Sequence, residues 1–273
     1  MSSLRADADG GLDAAIAHLR RRYGAAALRR GDDPAAAAAW STGVPAVDEL
    51  CGGGLPEGRV SVLAGTGQGA TGRLTLLQSF AAAASRSVEV AYIDLAGSLD
   101  PGYLADLGAD LAACLVVRPP AGSPGVGLAM ARALVTAGVP WLGVALGRRP
   151  MRRRDPALDH AMAALAAAVE GTRAVACVAS PAPLPAPLAY ASSLTVACRP
   201  LGWHEANGDV VGLRVGLEVV KSKLGAAGGT AAVLLRYPRP QSAAEVIGIP
   251  MLVPVGEAEP PSAVLSGRRA VAL

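Results

Sequence analysis

From Val60 onward the chain alternates short apolar runs with longer stretches whose apolar positions recur at helical spacing. The runs Val60–Ala64, Val88–Asp94, Leu115–Val117, Trp141–Leu146 and Ala174–Ala179 are short and almost continuously apolar, which predicts strands buried on both faces. The stretches Gly72–Ser85, Pro101–Leu107, Gly125–Ala137 and Pro156–Glu170 predict the helices between them. Strands separated in this way imply an α/β fold, a mainly parallel sheet flanked by helices. After Ser180 the pattern changes. A proline-rich connector, PAPLPAP, leads to Leu194–Cys198, Val210–Lys221 and Ala231–Tyr237, which read as antiparallel strands extending the same sheet. Asn207-Gly208 supplies a hairpin turn between two of them. Upstream, Leu12, Ala15, Ile16 and Leu19 share one face of a helix over Gly11–Tyr23, with Arg20, Arg21 and Arg22 in its last turn, where cations suit the helix dipole. The expected organisation is an N-terminal helix and linker over 1–39, a core over 40–237, and a Pro/Gly-rich tail over 238–273 in which Glu245–Val255 offers one more strand.

Composition narrows the class without naming a function. A chain of 273 residues can bury a real core. The hydrophobic share of 52% overstates that core, because much of it is alanine and aromatic residues contribute only 3%. The net charge of +3 is too weak to announce nucleic acid, so the clustering of the arginines matters more than their number. Cys51, Cys114, Cys177 and Cys198 stand far apart, and the three histidines add no metal-ligand spacing, so no metal is expected and the thiols read as reduced. Early aspartates at Asp7, Asp9 and Asp13 do not suit a secretory signal, and no apolar run is long enough to span a bilayer. A cytoplasmic protein without membrane contact is expected.

The candidate chemistry begins at Gly65–Thr75, GTGQGATGRLT, a glycine-rich turn between a predicted strand and a predicted helix. The frame G-x-x-x-x-G of a phosphate loop runs from Gly67 to Gly72 with Gly69 inside it, but the lysine and hydroxyl residue expected next are Arg73 and Leu74. Backbone N–H groups at a helix N-terminus still suit an anion. Leu74 cannot ligate Mg²⁺, and the planar fork of arginine does not replace a compact ammonium. Arg73 is either a residual anion contact or a solvated charge on the first helical turn; the absence of the metal-side residues favours the second.

The motifs together resemble the bacterial recombinase RecA over about the first 240 positions. DAAIAHLRRRYGAAALRRGDD is similar to its oligomerisation helix and following strand, with Leu12, Ile16, Leu19 and Tyr23 as the arm residues. STGVPAVDELCGGGLPEGRVSVLAG is similar to the start of its ATPase core. The Leu-Asp-Pro-x-Tyr signature stands at Leu99–Tyr103, and Val-Val-Lys-x-Lys at Val219–Lys223. The resemblance implies a RecA-type phosphate-loop core with antiparallel late strands. It also implies that Lys221 and Lys223 reach across a subunit interface towards a neighbour's nucleotide; the alternative is the exposed edge of a polar strand. The run Arg148, Arg149, Arg152, Arg153 and Arg154 falls where RecA has its first DNA-contacting loop, and is either a phosphate-neutralising patch or a solvated charge run.

The departures from RecA fall on catalysis. The water-activating glutamate is matched by Ala96 and the aspartate that ends a later strand by Ala145, while the long second DNA loop is matched by PAPLPAP. The expectation is a catalytically degenerate RecA-like paralogue, similar to the ImuA-type accessory factors of damage-induced mutagenesis. It would not be an enzyme and no cofactor is expected, with ATP hydrolysis lost and ATP binding without turnover left open. Its role would lie in DNA repair or translesion synthesis, docked on RecA-like subunits or a Y-family polymerase and contacting single-stranded DNA. The alternative from another class is a divergent ATP-dependent recombinase.

Overall fold

The computed structural model describes residues 3–23, 38–120, 123–147, 156–225, 227–239 and 242–251. Its centre is a nine-stranded sheet in the order β11-β10-β9-β8-β3-β7-β6-β4-β5. Here β3 is Arg59–Gly65, β4 Val90–Asp94, β5 Cys114–Val117, β6 Trp141–Ala145 and β7 Val175–Pro181. The late strands are β8 (Leu194–Ala206), β9 (Asp209–Ser222), β10 (Thr230–Arg236) and β11 (Glu245–Ile249). All pairings from β8 through β3, β7, β6 and β4 to β5 are parallel, and β8 to β11 pair antiparallel. The predicted α/β class is therefore observed, with its antiparallel extension. Two short strands, β1 (Ala39–Trp40) and β2 (Leu55–Pro56), form a separate pair.

The two-residue alternation of a strand sorts its side chains onto two cores. Tyr92 and Val90 of β4 join Trp141, Cys177 and Val196 on one face, together with α3 (Arg73–Ser85) and α4 (Pro101–Asp106). Ala91 and Ile93 point the other way, into a cluster with Leu142, Val144 and Val178 that is covered by α5 (Pro124–Thr136) and α6 (Pro156–Val169). Burial on both faces is why these strands are apolar throughout instead of alternating with polar residues. The helices start where local chemistry allows. Asp100 accepts from Gly102 N at 2.9 Å and is followed by Pro101 in the first turn of α4, which satisfies one orphan N–H where proline has none to lose.

Several elements differ from expectation. The N-terminal helix α1 spans Ser3–Tyr23, beginning earlier than Gly11. A short helix α2 occupies Pro45–Leu50. The predicted connector PAPLPAP is not one uninterrupted link: after a cis Ala182-Pro183 bond it runs into helix α7, Ala186–Ala191, too short to show periodicity. Strand β8 does not stop at Cys198. It crosses Pro200 and Gly202 with a register shift between them, the bulged geometry by which a strand tolerates both residues. Asn207 (φ 55°) and Gly208 (φ 78°) make the predicted turn. No helix among the described residues is long and apolar enough to cross a membrane.

Candidate functional site

The C-terminal ends of the parallel strands open on one rim, where open α/β sheets bind ligands. The loop after β3 is its centre. Thr66 N and Thr66 Oγ1 both donate to Cys198 O, at 2.9 and 3.2 Å, hooking the start of the loop to β8. Gly67 (φ 84°) and Gly69 (φ 79°) are exposed. Gly72 (φ 74°) is the N-cap of α3 and brings no side chain to cap it. A Cβ there would lie 2.6 Å from Val215 Cγ2 and 2.7 Å from Leu235 Cδ1, so β9 and β10 press directly on the helix start.

Arg73 is not a solvated charge. Its residue is 8% exposed, and its side chain folds back over the end of β3. A Cβ on Gly65 would meet Arg73 Cδ at 2.8 Å, so the glycine is what leaves the channel for this side chain. Arg73 Nη1 donates to Thr71 Oγ1 at 3.1 Å and Nη2 to Gly147 O at 3.4 Å, beyond the end of β6. Its Nε is buried without a partner. Burial lowers the guanidinium from its ordinary value, with nearby Cys198 acting in the opposite direction. The guanidinium therefore reaches from the loop to the strand that ends in Ala145. Leu74 is half-buried and packs against the core. Together with Tyr237, Leu213 and loop residues 69–73 it walls a cavity of about 380 Å³.

Asp94 and Ala145 are register partners at the ends of β4 and β6, and Ala96 packs half-buried just beyond. Asp94 is occupied locally. Its carboxylate accepts from Ser98 N at 3.0 Å and Leu99 N at 3.1 Å. Arg118 stands 3.7 Å away and donates onward to Leu99 O at 2.9 Å. No group of three or more His, Cys, Asp or Glu side chains suited to a metal occurs among the described residues. Tyr103, from the Leu-Asp-Pro-x-Tyr stretch, is held up at about 12 by burial first, then by Tyr237 and Asp106, and its hydroxyl is buried without a partner. Sequence reading missed Tyr237 and Arg118, which lack local motifs and reach this region through pairings distant in sequence.

Lys221 and Lys223 sit elsewhere. Lys221 pairs with Thr195 and Leu194 pairs with Ser61, which puts these lysines beside the start of β3, at the opposite end of the strands from the loop. Strand β9 lies between β8 and β10 and is not an edge. Lys221 Nζ donates to Ala189 O and Ser192 Oγ, and Lys223 Nζ donates to Tyr190 O at 2.9 Å while lying 5.4 Å from the Tyr190 ring centre. On the arm, Ile16 is half-buried and Leu19 is exposed. The side chains of Leu12 and Tyr23, and all of Arg148, Arg149, Arg152, Arg153 and Arg154, lie outside the described residues.

This arrangement defines an α/β core of the RecA type, with a phosphate-loop rim and antiparallel late strands. Residues 10–142 match the RecA N-terminal domain. The chain is 36% identical to Protein RecA of Clavibacter michiganensis over 128 residues, 45% of this chain and 35% of that protein. It is 37% identical to Protein RecA of Thioalkalivibrio sulfidiphilus over 123 residues (43% and 35%), and 34% identical to that of Synechocystis over 116 residues (41% and 32%). The aligned segments thus span about a third of the length of these curated relatives. They support a RecA-family relationship carried by under half of the chain. They also overturn the expectation that the chain is not an enzyme: these relatives are named RecA, an ATPase, and the family match runs through the loop that holds Arg73 and Leu74.

Proposed function

We propose that this chain is a RecA-like protein of DNA repair and recombination that works as a subunit docked on RecA-type neighbours. The carrying observation is polarity: the phosphate loop lies at one end of the parallel strands, and Lys221 and Lys223 lie at the other. Lysines so placed serve the loop of a subunit stacked head-to-tail, not their own. The test is binding of the whole chain to RecA filaments on single-stranded DNA. Binding is expected to tighten with a non-hydrolysable ATP analogue and to lose that dependence in the Lys221→Ala/Lys223→Ala double variant. Binding indifferent to nucleotide and to both lysines overturns the docking mode.

The finer place beside the ImuA-type accessory factors, with a Y-family polymerase as partner, is a proposal resting on Arg73, Leu74, Ala96 and Ala145. A second reading, an ATP-dependent recombinase, is favoured by the family match through the loop. ATP turnover stimulated by single-stranded DNA, measured with strand exchange, selects it. In either reading the run Arg148–Arg154 is proposed to hold DNA phosphates without sequence preference. Replacing Arg152, Arg153 and Arg154 by alanine is then expected to flatten the salt dependence of DNA binding, since fewer counterions are released. An unchanged slope refutes the assignment.

A further inference from the structure

Helices α5 and α6 lie side by side over the second core, and a groove runs between their outer faces. Residues three and four apart share a helix face, which puts Val126, Ala129 and Arg132 on one wall and His160, Ala161 and Ala164 on the other. The helices close together at one end. A Cβ on Gly125 would lie 3.6 Å from the backbone of Ala157, whereas the small side chains beyond leave about 510 Å³ open. Arg132 and His160, both exposed, are the titratable groups that line this apolar trough. Helix α5 carries no carboxylate, and Asp159 of α6 does not line the groove. Among the described residues no ion pair includes Arg132 or His160.

An apolar trough rimmed by cationic side chains suits a segment that brings aliphatic residues first and carboxylates next. The chain carries such a run at residues 252–259, LVPVGEAE, in which Leu252, Val253 and Val255 are followed by Glu257 and Glu259. These residues lie outside the described ones and follow Met251, just past the edge strand β11. A copy cannot fill its own groove with them. Arg132 belongs to α5, which packs on β6, and β6 is six strand spacings from β11, about 29 Å at 4.8 Å each. The eight residues from Met251 to Glu259 reach about 28 Å fully extended, with a helix layer about 10 Å deep still to cross. We propose that the α5–α6 groove binds residues 252–259 of a second copy of the chain, with the aliphatic side chains in the trough and the two glutamates facing Arg132 and His160. This contact does not involve Lys221 or Lys223 and is independent of the docking mode that rests on them.

The experiment is sedimentation equilibrium of the full chain at low salt, with a labelled LVPVGEAE peptide titrated in parallel. The Lys221→Ala/Lys223→Ala background removes the other docking mode. Self-association is expected, and Arg132→Glu should weaken both it and peptide binding by about fivefold or more, the scale of turning an attractive surface pair into a repulsive one. Glu257→Lys with Glu259→Lys should weaken self-association likewise, and combining them with Arg132→Glu in one chain should recover most of it, because the charges are then exchanged. Ala129→Trp, which fills the trough without altering charge, should abolish both signals. Thermal midpoints establish that each variant is folded; Arg132 and Ala129 are exposed, so neither substitution disturbs the core. A chain that stays monomeric, association and peptide binding indifferent to Arg132→Glu and Ala129→Trp, or no recovery on charge exchange overturns the proposal. Peptide held in the groove of a monomeric chain would hand the site to a different acidic partner and overturn the second-copy assignment.

Discussion

Asp94 has its oxygens committed to two backbone N–H groups, Ser98 N and Leu99 N, and its carboxylate is fully buried beside the more exposed Arg118. Those bonds fold the chain after β4 into a tight turn that delivers Asp100 to the head of α4. Asp94→Ala would leave both N–H groups unsatisfied and is expected to cost about 2 kcal/mol in urea unfolding. Asp94→Asn, which keeps an acceptor, should cost less. Arg118→Ala should cost least, because Arg118 is itself largely exposed and its 3.7 Å approach to the buried carboxylate is long and partly screened by water. Equal losses for all three would mean that the turn does not depend on the carboxylate. At the same scale, the glycine pattern and the arginine after Gly72 were readable in sequence, but the direction of the Arg73 side chain was not. It depends on the missing Cβ of Gly65 and on Gly147, a residue 74 positions away.

Elements held by hydrophobic periodicity were legible. The central strands, the three longer core helices α3, α5 and α6, and the six-residue α4, whose start Asp100-Pro101 marks, begin and end within about two residues of where the sequence places them. What escaped has a physical reason. Helices α2 and α7 are six residues each, less than two turns, so neither displays a repeat. The outer half of β8 carries Pro200 and Gly202, which read as a break; β9 holds it through cross-strand bonds that resume beyond each register shift. The turn at Asn207-Gly208 was legible because both residues tolerate positive φ, and the structure uses that property in both. Gly208→Val is expected to destabilise the protein by about 1 kcal/mol or more, since a β-branched residue resists φ 78°. Unfolding midpoints unchanged by this substitution would show that the hairpin tip contributes nothing to the global transition.

Across the whole molecule, burial holds four free thiols in their protonated form. It pushes Cys198 up to about 12, and with Asp48 does the same for Cys51, while Cys114 and Cys177 are also raised. The unfolded chain releases these protons at the ordinary thiol pKa of about 8.5, whereas the folded chain retains them. The native state therefore binds more protons from that pH to about 12, and stability falls as pH rises through this window. The thermal midpoint is expected to hold steady below pH 8 and to drop between pH 9 and 10.5, with a shallower drop in Cys177→Ala; equal slopes would assign the loss to other groups. One more consequence follows from the hook between Thr66 and Cys198. Strand β8 continues from Cys198 to Trp203, which is 54% exposed, whereas Trp141 is buried and Trp40 half-buried. The polypeptide thus carries its own optical probe on the strand tied to the phosphate loop. A ligand that shifts the loop should alter the red-edge emission and acrylamide quenching of that single indole, so occupancy can be followed by intrinsic fluorescence without a label.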